Sequence, residues 1–411
     1  MSRLKYYFFR IFYVIFILKN KDIIFDLISK IIIKFFYVFL RFLLWIIFLP
    51  ISIPLHLLKI RFVNIISQHI GHLTIQPYII YNITKYDVKF KKLKFVLLTN
   101  SISNLSVLRK WSEKLLILKN PSLCLLLKGL SFIYFCKFDV RRFDSSHFNA
   151  QEIYKFNQKV KSKKFLSLDN KELLDLEILK ENIDIKKFKF HVCIQARDSS
   201  YFKYDYHQNH RNNDINLYQK AVDYINKMGG VAIVVGKYKN KCALKNVINY
   251  NNSNFCNDYH DMLLIASNLF FLGQTSGLCF LSSVFNKPVM HSNMIPISTM
   301  GLFENDLSIN KFIRNNKGVI HFKNLINKPL GNYFYSYQYW YHSVTIEENS
   351  EDDIYIAVKD MFTLLKNQKF NDKQMKLIKN YKSLFHNTDF GYLSPAFPSP
   401  SFLNKHKKHY F

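Results

Sequence analysis

The sequence predicts an α/β fold with two Rossmann-like domains facing a cleft, preceded by a membrane-associated helical segment. Three observations predict it: an apolar, basic stretch over residues 1–59, short apolar runs alternating with helical patterns from residue 60 onward, and glycines or arginines directly after several of those runs. Short strands separated by helices are typical of parallel sheets, whose ligands bind at the carboxyl ends of the strands. We therefore expect an anchor (1–59), two Rossmann-like domains (60–175 and 176–345), and closing helices with a tail (346–411).

The composition allows a large core and favours an anionic partner. The 411 residues are 49% hydrophobic, and 58 basic against 29 acidic residues give a formal net charge of +29. This excess suits nucleic acid, acidic lipid or a phosphorylated substrate, although compositional bias explains it about as well. The six cysteines show no paired metal-type spacing, so we interpret them as reduced core thiols of a cytosolic protein.

The first 59 residues are interpreted as a membrane anchor. Apolar runs at 6–18 and 31–58 are interrupted by basic residues, and ten Lys or Arg against two Asp up to Arg61 give a net charge of +8. The longest uncharged run, 42–58, has 17 residues and contains Pro50 and Pro54, whereas a spanning helix needs about 20 apolar residues. A helix in the interface, or a re-entrant hairpin kinked at the prolines, fits better than a span. A buried helical hairpin of a soluble protein is the alternative.

In the first half, strands are predicted at residues 61–66 and 94–98, a turn at 67–71, and helices at 73–82 and 104–115. Apolar groups at 123–127 and 132–135 are expected to continue the sheet. The polar, charged segment 144–187 has a helical pattern. We expect this segment to bridge the two halves and to contain their boundary.

The second half has the clearer alternation. A strand at 190–196 leads to an amphipathic helix at 215–228, which ends at Gly229 and Gly230, and to a buried strand at 231–235 closed by Gly236. Strands at 247–250, 269–272 and 288–291, with a helix at 278–285, continue the pattern. After a strand at 344–346, Ser350 and Asp353 form a capping-box-like start for a helix at 353–366. A helix at 373–385 precedes an irregular, proline-bearing tail.

Two arginines lie where the chain leaves a predicted strand and where it enters a predicted helix. Arg197 follows the strand at 190–196, and Arg211 precedes the helix that begins at residue 215. Guanidinium groups pair with phosphates in bidentate fashion, so both arginines suit a diphosphate, with Asp198 orienting Arg197. Such cations would stabilise the charge that grows on a departing diphosphate. Surface arginines paired with nearby acids are the ordinary alternative.

A turn bounded by Gly273 and Gly277 follows the strand at 269–272 and opens a helix. The hydroxyls of Thr275 and Ser276, together with free backbone amides at the helix start, suit phosphate or ribose oxygens. An ordinary helix cap explains the turn about as well. Its weight as a binding signal comes from the arginines that accompany it.

Gly71 and His72 occupy the loop after the first predicted strand, facing the same cleft if the two halves face one another. Histidine titrates near neutral pH, so His72 is a candidate base for an acceptor hydroxyl. A structural loop histidine is the more ordinary reading, and Asp198, Asp214 and Glu304 compete for the role of base.

Together these motifs resemble those of a family of bacterial glycosyltransferases with a two-domain GT-B-like fold, distantly similar to fucosyltransferases. The family pattern has a strand ending in His-x-Arg-Asp, a downstream Arg-Asn-x-Asp before a helix, and Gly-x-x-Ser-Gly after a later strand. The matches are Arg197-Asp198, Arg211-Asn212-x-Asp214 and Gly273-x-x-Ser276-Gly277. The resemblance extends from about residue 61 to the end of the chain.

Two positions depart from the family pattern. Gln195 stands where the pattern usually has histidine, and Val234 stands where the strand before Gly236 often carries arginine. Glutamine donates a hydrogen bond but cannot become cationic, so the donor affinity or the choice of sugar can differ, or activity can be lost.

The resemblance implies transfer of a sugar from a nucleotide-sugar donor to a cell-envelope glycan or lipid-linked acceptor, with inversion and without metal or cofactor. It implies an acceptor domain at 60–175 and a donor domain at 176–345, on the cytoplasmic face of the inner membrane. The donor-binding residues it implies are Gln195, Arg211, Asn212, Asp214, Gly236, Gly273, Thr275, Ser276 and Gly277.

Two other classes of function stay open. A catalytically silent, membrane-associated scaffold is supported by Gln195. A nucleic-acid-binding protein is suggested only by the charge of +29, and its affinity would fall steeply with salt. The motif layout does not favour nucleic acid, so we expect no nucleic-acid partner.

Overall fold

The computed structural model describes residues 21–99, 101–130, 133, 136–140, 166–198, 206–236, 242–301, 303–326, 329–387 and 389–411. The predicted apolar run at 6–18, most of the predicted strand at 132–135 and the first part of the predicted bridge lie outside these residues. The described part is a mixed α/β fold containing two parallel sheets, which confirms the predicted class.

The segment predicted as an anchor is helical where the structure describes it. Helix α1 (Lys21–Leu57) contains Pro50 and Pro54, and it bends by 54° between Val38–Leu44 and Ile46–Leu57. A proline ring clashes with the carbonyl four residues earlier, so the bend lies where Pro50 would force it. Among the described residues, no single helix is long and apolar enough to cross a membrane, and these two arms pass that test only when taken together.

A three-stranded parallel sheet follows, in the order β1-β2-β3. Its strands are β1 (Ile60–Asn64), β2 (Lys94–Leu98) and β3 (Ile117–Leu118), and its helices are α2 (Ile70–Tyr86), α3 (Leu105–Ser112) and α4 (Pro121–Leu127). The prediction that residues 123–127 continue the sheet is wrong. Asn120 accepts a hydrogen bond from the Leu123 amide at 3.0 Å, and Pro121 occupies the first turn, so this apolar run starts a helix instead.

The second half is built around a larger sheet. The strands of the second half are β4 (Phe190–Gln195), β5 (Gly230–Val234), β6 (Val247–Ile248), β7 (Phe271–Gly273), β8 (Val289–Met294), β9 (Leu307–Asn310), β10 (Phe312–Asn315), β11 (Gly318–Val319), β12 (Thr345–Glu347) and β13 (Phe397–Pro398). Seven of them form one sheet in the order β13-β9-β8-β7-β4-β5-β6, with every neighbouring pair parallel. The chain runs from β4 to β5 and β6 on one side, and through β7, β8 and β9 on the other. The topological switch point therefore lies between β4 and β7.

The helices of this region are α5 (Asn170–Asn182), α6 (Gln219–Lys227), α7 (Asp258–Ser267), α8 (Gly277–Val284), α9 (Phe322–Ile326), α10 (Ser336–Tyr341), α11 (Glu351–Asn367), α12 (Asp372–Lys382), α13 (Phe390–Leu393), α14 (Pro400–Lys405) and α15 (Lys407–Tyr410). The predicted helix at 215–228 is divided into a 3₁₀ turn, Ile215–Tyr218, and α6. The expectation of an irregular tail is also wrong. Strand β13 extends the large sheet and α14 packs against α11, because the tail carries apolar side chains such as Phe402 that are buried there.

Both sheets contribute to one hydrophobic core. A single cluster of buried side chains includes Val63 and Leu97 from the small sheet and Cys193 and Phe271 from the large one. Helices α2 and α8 pack directly against each other across this region. The domain boundaries at residues 59, 175 and 345 stay a prediction.

Candidate functional site

The predicted motifs meet at the switch point of the large sheet. Gln195, the last residue of β4, pairs in register with Gly273, the last residue of β7. Gly236 follows β5 with φ +93°, and a Cβ added there would lie 3.3 Å from the Gln195 Cγ. The carboxyl ends of three neighbouring strands thus converge on Gln195. This edge is where parallel sheets bind ligands.

Two guanidinium groups are held together at this edge. Arg197 donates from Nη1 to the Gln208 Oε1 at 3.2 Å, and Arg211 donates from its Nη1 to the same oxygen at 2.6 Å. Arg211 also donates from Nη2 to the Thr275 carbonyl, which ties it to the turn after β7. A single amide oxygen therefore places two positive charges side by side at the switch point.

The turn at 273–277 is joined to the loop after β4 by side chains as well. Ser276 Oγ donates to the Gln195 Oε1 at 2.7 Å. With its amide nitrogen facing the Arg211 carbonyl, the buried Gln274 donates to that oxygen at 2.7 Å and accepts from the Arg197 amide at 2.7 Å. These bonds make the two loops one unit. We call Gln195, Arg197, Arg211, Thr275 and Ser276 the switch-point cluster.

Ser276 occupies the N-cap position of α8, yet its side chain does not cap the helix. Its hydroxyl bonds to Gln195 instead, so it leaves the first amides of α8 to other acceptors. A helix N-terminus with amides available beside two arginines favours a phosphate or another oxyanion.

A third cation lies behind the arginines. Lys311, between β9 and β10, is 3% exposed and donates to the Asn212 carbonyl at 2.7 Å. Burial lowers the pKa of Lys311 to about 8; the Glu348 carboxylate opposes this shift, and the positive charge of Arg211 adds to it. Lys311 is therefore still mainly charged at pH 7, and it adds to the positive potential of the site.

The remaining predicted residues of the second half have distinct positions. Asp198 is buried just after β4, and Gln208 accepts a hydrogen bond from the Arg197 guanidinium. The orientation of Arg197 by Asp198 stays a prediction. Asp214 is exposed and accepts from the Asn216 amide at 2.9 Å, which caps the 3₁₀ turn. Asn212 takes part through its carbonyl, as the acceptor for Lys311.

The first half of the chain contacts the start of α8 through Gly71. A Cβ added to Gly277 would lie 2.4 Å from the Ile70 Cγ2 and 2.6 Å from the Gly71 amide nitrogen, so the first turns of α2 and α8 touch backbone to backbone. His72 lies in the first turn of α2 rather than in the predicted loop, with its Nδ1 3.4 Å from the Gln76 Nε2. The backbone contact with the 273–277 turn is made by Ile70 and Gly71, and the role of His72 as a base stays a prediction.

Sequence reasoning missed three residues of this site: Gln208, Gln274 and Lys311. The two glutamines carry no recognisable motif, because they act through contacts between loops. Lys311 directly follows β9, but the sequence analysis predicted no strand at 307–310, so no signal marked this lysine. Among the described residues, no group of three His, Cys, Asp or Glu side chains is arranged to hold a metal ion.

No family model and no curated protein sequence matches the chain. It is similar to a glycosyl transferase of family 9 from Veillonella parvula DSM 2008, at 8% identity and a TM-score of 0.36 over 56% of this chain and 80% of that one. It is also similar to the iron-containing heptosyltransferase TibC in complex with ADP-D-β-D-heptose, at 11% identity and a TM-score of 0.34 over 58% of this chain and 61% of that one. A second TibC structure, of the iron-containing glycosyltransferase from enterotoxigenic E. coli H10407, gives 10% identity and a TM-score of 0.34, over 57% and 58%. Such TM-scores do not establish a shared fold, so the function is argued from the residues of the site.

Proposed function

We propose that this chain is a glycosyltransferase that uses a nucleotide-sugar donor. The observation that carries the proposal is the pair of guanidinium groups held by Gln208 beside the start of α8. A nucleotide sugar carries a diphosphate between its sugar and its nucleoside. Two fixed cations and a helix N-terminus fit that group in charge and in the hydrogen-bond donors they offer.

In this proposal the diphosphate lies against Arg197 and Arg211, while Thr275, Ser276 and the amides that follow Gly277 bind its oxygens or the ribose. Gly236 and Gly273 let Gln195 pack closely between them, since a Cβ added at either would meet Gln195 at 3.3 Å or 2.8 Å, and their backbone is proposed to contact the donor. Asn212 and Asp214 support the loop that carries Arg211, and Gln195 supplies a neutral hydrogen-bonding group where the family pattern has histidine.

The proposed reaction is a single displacement at the anomeric carbon of the sugar. The acceptor hydroxyl oxygen forms a bond to that carbon from the face opposite the diphosphate, as the bond to the diphosphate oxygen breaks. The nucleoside diphosphate leaves with the bonding electrons, and the hydroxyl proton passes to a base, for which His72 is our candidate. Arg197 and Arg211 stabilise the leaving group, with Asp198 behind Arg197, so this route requires no metal.

The proposed acceptor is an envelope glycan or a lipid-linked sugar at the cytoplasmic face of the inner membrane. Support comes from α1, whose exposed side chains include Phe35, Phe42 and Ile47. A membrane-attached enzyme meets a lipid-linked acceptor in two dimensions, which raises the local acceptor concentration.

A nucleotide-binding test separates this function from a silent scaffold. Detergent-purified protein would be melted with a panel of nucleoside diphosphates and nucleotide sugars. A ligand at a hundredfold excess over its Kd stabilises the folded state by about 2.7 kcal/mol, which is a measurable shift in Tm. We expect one class of nucleotide to raise the Tm of the wild type. The Arg211→Gln variant should lose most of that Tm shift, because one contact to the diphosphate is removed.

The matched control is Arg314→Gln. Arg314 is an exposed arginine paired with Glu347 at 2.7 Å on the surface, so this variant has the same change in net charge and should keep the nucleotide shift. If no nucleotide raises the Tm of the wild type, or if the two variants show the same Tm shift, the donor site is not where we place it. The silent scaffold then becomes the better interpretation.

A further inference from the structure

Helices α1 and α4 form a layer on one face of the small sheet. Side chains alternate across a strand, and in β1 Phe62 packs toward these helices while Val63 packs into the large core. The cluster around Phe62 includes Phe48 from α1 and Cys124 from α4. The two helices therefore cover the same face and share one small core.

The turn that follows α4 is also in contact with α1. Gly129 follows α4, and a Cβ added there would lie 2.5 Å from the Phe48 Cδ2 and 3.1 Å from the Leu44 Cβ, both on α1. The outward side chains of α4 are apolar as well: Leu123, Leu125 and Leu126 are 41%, 58% and 54% exposed. The exposed apolar surface of α1 thus continues onto α4, and a surface of this kind marks an interaction site.

A lysine-rich loop lies at the end of this layer. The Lys94 amide donates to the Lys59 carbonyl at 2.9 Å, which holds the loop at 87–94 beside the end of α1. The exposed lysines there are Lys59, Lys89, Lys91, Lys92 and Lys94. Val88 projects among them with 87% of its surface exposed. We call this segment, 87–94, the basic loop.

We propose that α4 and the basic loop form a second membrane-contact surface beside α1, whose partner is an anionic phospholipid bilayer. Apolar side chains would enter the acyl boundary while the lysines meet the headgroups. A second copy of the chain is a poorer partner, because two such surfaces would bring two sets of lysines together. The proposal rests on the membrane location proposed above for residues 1–59, and it does not depend on sugar transfer.

The direct test is hydrogen exchange on the full chain with added vesicles. Vesicles of phosphatidylcholine alone would be compared with vesicles that also contain phosphatidylglycerol. We expect the anionic vesicles to slow exchange in α1, in α4 and in the basic loop, and to leave α5 unchanged. Helix α5 is the internal control because its Leu173 and Leu174 are 48% and 63% exposed, while the neighbouring Lys180, Lys186 and Lys187 pair with acidic residues.

A pair of double variants tests the contribution of α4 to binding. Leu125→Glu with Leu126→Glu should weaken binding to anionic vesicles at least about tenfold, since two apolar side chains are replaced by charges of the wrong sign. Leu173→Glu with Leu174→Glu makes the same change in charge on α5 and should leave binding unaltered. All four leucines are exposed, so a melting curve should show both variants folded.

The outcomes separate the two proposals. Slowed exchange in α1 with unchanged α4 and basic loop would overturn this inference and leave the anchor in place. Unchanged exchange in all three would overturn the anchor as well. If the α4 variant instead alters only the oligomeric state, the surface binds a second copy and the lipid assignment is wrong. None of these results bears on nucleotide binding, which is measured separately.

Discussion

At the scale of single residues, the contact between Gly71 and Gly277 decides how the two halves of the chain meet. Any side chain at residue 277 would collide with the Gly71 backbone, whose nitrogen is 2.6 Å from the added Cβ. A backbone atom cannot move aside as the end of a flexible side chain can. The approach of α2 to α8, and so the position of His72 relative to the 273–277 turn, depends on the absence of these two side chains.

Gly277→Ala should therefore destabilise the protein by roughly 1–3 kcal/mol, the usual cost of overpacking. Gly71→Ala should cost less, because its added Cβ would lie 3.1 Å from the Gly277 Cα, a contact that a small shift relieves. Urea unfolding of both variants at neutral pH measures the difference. Equal costs, or a larger cost at Gly71, would contradict the contact geometry described here.

The residues of the candidate site differ in whether the sequence alone identified them. Arg197 and Arg211 were recognisable because they follow a strand and precede a helix, positions that local pattern identifies. Gln208, which holds both of them, has no such mark. Its role depends on where the loop after β4 folds back, and that is a long-range property.

At the scale of elements, the start of α11 is tied to the tail of the chain. Asp353 completes the capping box with Ser350 and also accepts from the Lys405 Nζ and the His406 Nε2, each at 2.7 Å. Burial alone would raise the pKa of Asp353, but hydrogen bonds from His406, Lys405 and Ser350 outweigh it and hold the pKa well below its ordinary value. One carboxylate therefore holds α11 and α14 together.

Asp353→Asn should destabilise the protein at pH 7 by about 1–3 kcal/mol, because the tail loses its charged acceptor. Since the folded-state pKa is depressed, the stabilisation is fully present above the unfolded pKa and is lost as the pH falls toward the folded one. The deficit of the variant should therefore shrink below about pH 4. Urea unfolding at pH 7 and at lower pH measures it.

The neighbouring Asp352 provides the control for that measurement. It is exposed and pairs with Lys220 at 2.7 Å on the surface, so Asp352→Asn should have little effect on stability. If Asp353→Asn loses no more stability than Asp352→Asn, or if its loss of stability does not change with pH, Asp353 does not hold α11 and α14 together.

Element types were predicted well where the pattern is local. The capping box at Ser350, the strand 94–98 and the alternation of the second half are confirmed. The predicted strand at 123–127 is a helix because Asn120 and Pro121 favour a helix start, whereas an apolar run alone does not distinguish the two states. The tail was expected to be irregular because it carries prolines. The local pattern did not reveal its strand, which has two residues and depends on β9 for its partner.

At the scale of the whole molecule, the shared core predicts cooperative unfolding. Side chains from both sheets pack in one cluster, so separating the halves would expose buried side chains of both, although the second half also has a buried cluster of its own. We expect a single unfolding transition for the region after α1. With Trp45 and Trp340 replaced by Phe, fluorescence reports on the first half through the fully buried Trp111, and far-ultraviolet circular dichroism reports on all helices. Coincident denaturation curves confirm one unit, and separated curves favour the domain boundary predicted near residue 175.

The sequence by itself determined the α/β class, the alternation of strands and helices, and the three motifs that carry charge or hydroxyl groups. These properties follow from local periodicity, capping residues and turn residues, which act within a few positions of the chain. Only the tertiary structure decided that β4 lies next to β7, that Gln208 joins two arginines, that Lys311 is buried behind them, and that α2 meets α8 at two glycines. Strand order and contacts between distant loops arise from packing of the whole chain, which no local pattern specifies.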